Sequence, residues 1–267
     1  MASRTISFLG KKIQYHLTGT GDKILVLLHG FLESSSMWRE FVPRWENEYT
    51  IINIDIPGHG LSEVISDVHT TQLMADTVDA ILKAEHKNKA AFIGHSMGGY
   101  IALAFGERYE EKITGVVLLN STALADSEIK KADRDRAIKV MQKNPVIFIN
   151  EAIPNLFADA NREKYKAEID RIIQEALQIT VEGACSALRG MKVREEKTHL
   201  LQSGKFPVHF VSGGKDNVIP LDKVNEQVAL NPAIQLVVFP ESGHMSFIEE
   251  KEKCFEALQK MLGTFKW

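Results

Sequence analysis

The stretch Gly94-His95-Ser96-Met97-Gly98 follows the apolar run Ala90-Ala91-Phe92-Ile93 and opens the segment Gly99-Tyr100-Ile101-Ala102-Leu103-Ala104-Phe105. That order commits the chain to a buried strand, a sharp turn and a helix, with a serine at the tip. Small residues two before and two after the serine let strand and helix approach closely. A side chain held on such a turn sits on a strained backbone with its hydroxyl exposed. Ser96 is therefore a candidate nucleophile.

A serine hydroxyl is a poor nucleophile at neutral pH and needs a base, which in turn needs an orienting acid. Candidates occur downstream. Phe206-Pro207-Val208-His209-Phe210-Val211 reads as a strand running into Ser212-Gly213-Gly214-Lys215-Asp216, and Ile234 to Phe239 as another ending in Pro240-Glu241-Ser242-Gly243-His244. Loops leaving the carboxyl ends of parallel strands gather on one sheet edge, so Asp216 and His244 can meet Ser96 in space.

Further segments carry the same signature: Leu28-His29-Gly30-Phe31, Asp55-Ile56-Pro57-Gly58-His59-Gly60-Leu61-Ser62, Gly213-Gly214-Lys215-Asp216 and Ser242-Gly243-His244. Together with the serine turn, they make the chain resemble the α/β-hydrolase superfamily, specifically its small cofactor-free members such as bacterial esterases and 3-oxoadipate enol-lactonase-like proteins. The resemblance spans roughly residues 20–122 and 205–263. It implies an α/β fold, a mostly parallel eight-stranded sheet flanked by helices, with a helical cap inserted after strand 6. Residues 1–122 and 205–267 would form the core and 123–204 the cap. The chain order Ser96, Asp216, His244 is the one expected of this superfamily's triad. Some members take their acid from the end of the strand that here ends at Leu119, but this chain has Asn120 there, which favours Asp216. The backbone N–H groups of Phe31 and Met97 would form the oxyanion hole, with their side chains on the pocket floor.

The other histidines and turn residues are given structural roles: His29 bracing the loop before Phe31, His95 supporting the turn, and Asp55, Gly58, His59 and Gly60 shaping a tight turn. Strands are expected around Ile6–Leu9, Ile13–Leu17, Ile24–Leu28, Ile51–Ile54 and Ile113–Leu119, and helices over Ser34–Trp45 and Thr71–Ala84. Strand and helix alternate, as in a doubly wound sheet. Between Ala123 and Ser203 helical periodicity takes over, in Asp126–Lys143 and Arg162–Met191. The apolar stripe Ile169, Ile172, Ile173, Ala176 and Leu177 reads first as a face docked on the core. Phe148, Ile153, Leu156 and Phe157, around Pro154, are the substrate-pocket candidates.

At 267 residues, 44% apolar and 25% charged, the chain can bury one substantial core. A net charge of −3 leaves no electrostatic footprint for nucleic acid. Cys185 and Cys254 lack metal-ligand spacing and cannot form a disulfide framework, which suits a reducing compartment. No apolar run in Met1 to Gln14 is long enough for a cleavable signal, and no segment approaches the ~18 apolar residues of a membrane span. The expectation is a cytoplasmic protein with a small-molecule substrate, no metal, no cofactor, and no nucleic-acid or membrane partner. Oligomeric state stays open.

The chemistry expected is hydrolysis of a small soluble carboxylic ester or lactone through an acyl-enzyme. Epoxide opening and dehalogenation use a carboxylate where this chain has Ser96, and the charged insertion is unlike the apolar lid of a secreted lipase. The same apparatus serves carbon–carbon bond hydrolases, amide hydrolysis and some lyases, among which fold does not choose. A hydrolase-like ligand receptor with little turnover is the alternative from another class.

Overall fold

The computed structural model describes residues 2–267. Among these residues the sheet has eight strands: β1 Ala2–Phe8, β2 Lys11–Thr18, β3 Lys23–Leu28, β4 Tyr49–Ile54, β5 Ala90–His95, β6 Ile113–Leu119, β7 Val208–Gly213 and β8 Leu236–Phe239. They lie in the order β1-β2-β4-β3-β5-β6-β7-β8. Only β1 with β2 and β2 with β4 pair antiparallel; from β4 across to β8 every pairing is parallel.

The central strands β4, β5 and β6 are buried along their whole length, and β3 is apolar from Ile24 to Leu28, because both of their faces are covered. In β3, Val26 and Leu28 join one core cluster with Met74, Ile81 and Ile101, while Leu25 and Leu27 join a second with Trp38, Trp45 and Leu258. Helices α1 Val42–Trp45, α2 Thr71–Ala84 and α3 Met97–Arg108 follow the early strands in turn. Helix α2 starts where the Thr70 hydroxyl accepts the Leu73 N–H at 3.1 Å, satisfying one of the orphan donors of a helix start.

The helix expected over Ser34–Trp45 is two pieces, a 3-10 turn at Ser35–Trp38 and α1. The Ser34 hydroxyl accepts the Ser36 N–H at 3.3 Å, a local bond that competes with helix propagation, and Pro43 sits in the first turn of a new helix, where a missing N–H is harmless.

Between β6 and β7 the chain is helical: α4 Glu128–Lys143, α5 Pro145–Ala152, α6 Lys166–Ala176, α7 Val181–Lys192 and α8 Thr198–Ser203. The long periodic stretch expected over Arg162–Met191 is divided, because the Thr180 hydroxyl caps a fresh helix by accepting the Gly183 N–H at 3.1 Å. Ile169, Ile172, Ile173 and Ala176 are buried in the second core cluster, so the α6 stripe docks on the core. Helix α7 packs on α4 and against the early loops, where the His69 N–H donates to the Ser186 carbonyl at 3.0 Å. Helix α9 Leu221–Val228 connects β7 to β8, and α10 Ser246–Glu249 and α11 Lys251–Leu262 complete the chain. Cys185 and Cys254 are buried free thiols. Among the described residues no helix is long and apolar enough to cross a membrane.

Candidate active site

β5 ends at His95 and α3 begins at Met97, which leaves Ser96 alone on the turn with φ 48°. A non-glycine residue in that region costs of order 1–3 kcal/mol and persists only where its surroundings over-determine it. They do so here. The Ser96 N–H donates to the Leu119 carbonyl at 3.0 Å, and its own carbonyl accepts the Ser121 hydroxyl at 2.7 Å and the Gly99 N–H at 3.0 Å. A Cβ on Gly94 would lie 2.4 Å from the Gly98 carbonyl carbon, and one on Gly98 would lie 2.4 Å from the Leu28 carbonyl oxygen. Both glycines are needed for strand and helix to close this tightly.

Asp216 follows the end of β7 by three residues and its side chain is buried. Its Oδ1 accepts the N–H groups of Val218 at 2.8 Å and Ile219 at 2.9 Å, and its Oδ2 accepts from His244 Nδ1 at 2.8 Å and Asn120 Nδ2 at 3.0 Å. Burial pushes this carboxyl pKa up, but His244, the Ile219 amide and Asn120 outweigh it and hold the pKa below the ordinary value. An ionised carboxylate accepts only, so Nδ1 of His244 carries the proton and Nε2 is the nitrogen left for a reacting group. Ser96 and His244 line one cavity, and no hydrogen bond joins their side chains in this structure. The His244 loop is pinned from the helical insertion, with its N–H donating to the Leu156 carbonyl at 2.7 Å.

The loop after β3 faces this pair. His29 Nδ1 donates to the Gly30 carbonyl at 2.8 Å and Nε2 accepts the Ile56 N–H at 2.9 Å, which requires a neutral ring. Burial depresses its pKa accordingly. Among the described residues, the backbone N–H groups of Phe31 and Met97 make no hydrogen bond within the protein. Asp55 holds a turn, accepting the N–H groups of Ser35 at 2.8 Å and Leu61 at 2.9 Å.

The shared cavity has a volume of about 290 Å³, at the small end of ligand sites. Phe31, Phe148, Ile153 and Leu156 line it, with Leu188 and Met191 from α7. Two expected positions lie elsewhere. Met97 is buried in the core beneath α3, on the same helical face as Ile101, so only its backbone stands near the turn. Phe157 is 2% exposed and packs on Tyr165 with ring centroids 6.2 Å apart, because the chain leaves its 3-10 turn in extended conformation and directs this ring into the second core cluster.

Sequence reasoning missed three features. Asn120 does more than leave an acid position vacant: at φ 45° it supports Asp216 and also donates to the Gly243 carbonyl at 3.2 Å. Glu33 pairs with His95. Lys130 and Arg134 face the cavity. Only the i, i+4 spacing of the last two was visible in the sequence, without its orientation. Among the described residues no group of three His, Cys, Asp or Glu side chains is arranged to hold a metal ion.

A family model described as alpha/beta hydrolase fold matches residues 23–251. The chain is 26% identical to a 2-hydroxy-6-oxononadienedioate/2-hydroxy-6-oxononatrienedioate hydrolase of Paraburkholderia phymatum, over 94% of this chain and 91% of that protein. It is 27% identical to the dihydrolipoyllysine-residue acetyltransferase component of the acetoin cleaving system of Pseudomonas putida, over 90% of this chain but only 63% of that longer protein. A solved thermophilic esterase from Thermogutta terrifontis superposes with a TM-score of 0.90 at 29% identity, covering 98% of each chain. With strand order, serine turn and matched span in agreement, this chain belongs to the alpha/beta hydrolase fold family.

Proposed function

We propose that the protein hydrolyses a small carboxylic ester or lactone through an acyl-enzyme on Ser96. The observation that carries this reading is the His244 Nδ1 to Asp216 Oδ2 bond of 2.8 Å, with Ser96 on the wall of the same cavity as the imidazole. His244 takes the Ser96 proton as Oγ bonds to the carbonyl carbon. It then returns that proton to the departing alcohol oxygen as the acyl carbon–oxygen bond breaks. Water, deprotonated by the same imidazole, releases the acid and restores the serine. Asp216 keeps the imidazole in the required tautomer and stabilises its cation. The unpaired N–H groups of Phe31 and Met97 are suited to the oxyanion. Residues 123–204 act as a cap over the carboxyl edge of the sheet and set acyl and alcohol preference.

Turnover of a panel of p-nitrophenyl esters of increasing acyl length tests this, with Ser96→Ala as control. Undiminished activity in the variant overturns the assignment of Ser96. A second reading, hydrolysis of a carbon–carbon bond on the same three residues, is favoured by the name of the Paraburkholderia relative. An enzyme inert on every ester that consumes a 2-hydroxy-6-oxodienoate decides for that reading.

A further inference from the structure

Most of the cavity wall is apolar, but one side is cationic. Helix α4 presents Lys130 and Arg134, one helical turn apart, to the cavity that holds Ser96 and His244. Lys130 Nζ donates to the Val218 carbonyl at 2.7 Å, two residues beyond Asp216, and among the described residues no carboxylate pairs with it. Arg134 Nε at 3.1 Å and Arg194 Nη1 at 2.6 Å share the single buried carboxylate of Asp126. Those three side chains together keep one positive charge, and Lys130 adds another. Asp133 also lines the cavity, but it is exposed and paired with Arg136.

A partly desolvated ammonium whose sole partner is a neutral carbonyl is expensive to maintain. Burial accordingly lowers the Lys130 pKa; Asp126 and, more weakly, Asp216 oppose this, and Arg134 and Arg194 lower it further. An incoming anion would relieve that cost and place a charge-assisted hydrogen bond at the edge of an otherwise apolar cavity.

We propose that the substrate carries a free carboxylate, which Lys130 binds with Arg134 alongside while Ser96 attacks the ester or lactone carbonyl. This rests on the acyl-enzyme reading of the site and adds the class of compound it accepts.

Matched ester pairs test it. One series places the charge on the acyl arm, comparing mono-p-nitrophenyl succinate, glutarate and adipate with neutral p-nitrophenyl esters of equal chain length. The other places it on the alcohol arm, comparing butyryl esters of 4-hydroxybenzoate and 4-hydroxybenzamide. The expected result is a kcat/KM ratio of about tenfold or more in favour of the anionic member of at least one series, falling toward unity in 0.5 M salt. Lys130→Met should abolish that ratio and Lys130→Arg should retain most of it. A general loss of activity affects both members equally and cancels in the ratio, and the salt series needs no variant at all. Ratios near unity in both series, or a preference that survives Lys130→Met, overturn the proposal. If no ester of either kind is cleaved, the acyl-enzyme reading fails, and the anion site is then read by thermal shift. Glutarate should raise the melting temperature of the wild type and not of Lys130→Met; equal shifts overturn it.

Discussion

His95 Nδ1 donates to Glu33 Oε2 at 2.9 Å, and the same oxygen accepts the Gly30 N–H at 2.6 Å. The other ring nitrogen of His95 faces the His244 carbonyl at 3.1 Å. Both nitrogens meet acceptors only, so the ring satisfies both as an imidazolium. Burial opposes that charge, yet Glu33, the His244 carbonyl and the more distant Asp216 prevail and raise the His95 pKa. Burial likewise opposes charge on Glu33, but His95 and the Gly30 N–H hold its carboxyl below its ordinary value. One buried ion pair thus ties together the loop after β3, the turn after β5 and the loop after β8.

Breaking that pair from one side leaves a buried charge alone, which typically costs about 3–5 kcal/mol. Glu33→Gln should lose stability on that scale in urea titrations at neutral pH. The pH dependence follows from the signs. The raised His95 pKa contributes stability that is fully present below its ordinary value of 6.5 and is lost as pH rises through the folded value. The lowered Glu33 pKa contributes stability present above 4.5 and lost as pH falls through its folded value. Glu33→Gln should therefore flatten the alkaline limb of the urea midpoint; an unchanged limb refutes the imidazolium assignment.

Ser96 is strained where it stands, at φ 48° and ψ −113°. Ser96→Gly relieves that backbone strain and should raise stability by about 1 kcal/mol, visible as a higher melting temperature, while abolishing the turnover proposed for Ser96. A glycine variant less stable than wild type contradicts the strain argument.

Asn120 combines a left-handed backbone with a hydrogen bond to Asp216. Asn120→Gly keeps the backbone comfortable and deletes the amide that donates to both Asp216 and the Gly243 carbonyl, so kcat should fall by roughly tenfold or more, on the scale of a hydrogen bond to a charged group, with little change in KM. Its acidic limb in kcat/KM should move to higher pH, because the Asp216 carboxyl loses one of the groups that lower its pKa. Normal kinetics with an unmoved limb would show that Asn120 only fills space.

His59 and His69 have pKa values pushed down to about 3 and about 4, chiefly by burial, and His29 is lowered for the same reason. For a histidine depressed in the folded state, the unfolded chain binds the extra proton below 6.5. Stability should therefore decline as pH falls from 6.5, by up to about 1.4 kcal/mol per pH unit for each such group. His59→Gln should make the decline shallower. Equal slopes for variant and wild type in urea titrations between pH 6.5 and 4.5 count against it.

Local chemistry was enough to read much of the fold. The apolar run Ile24–Leu28 and the periodicity of Thr71–Ala84 reappear as β3 and α2 because burial on two faces, or on one, leaves its period in the residues themselves. That Ser96, Asp216 and His244 come out at one edge of the sheet was legible because each follows a strand, and parallel strands end on one edge. Tertiary structure alone decided the Glu33 to His95 bond, which joins residues 62 apart in sequence, and the role of Asn120. It also decided that Met97 and Phe157 turn into the core while Lys130 faces the cavity. Periodicity reports how often a chain turns an apolar face, whereas which way a single side chain points is set by what packs against it from distant segments.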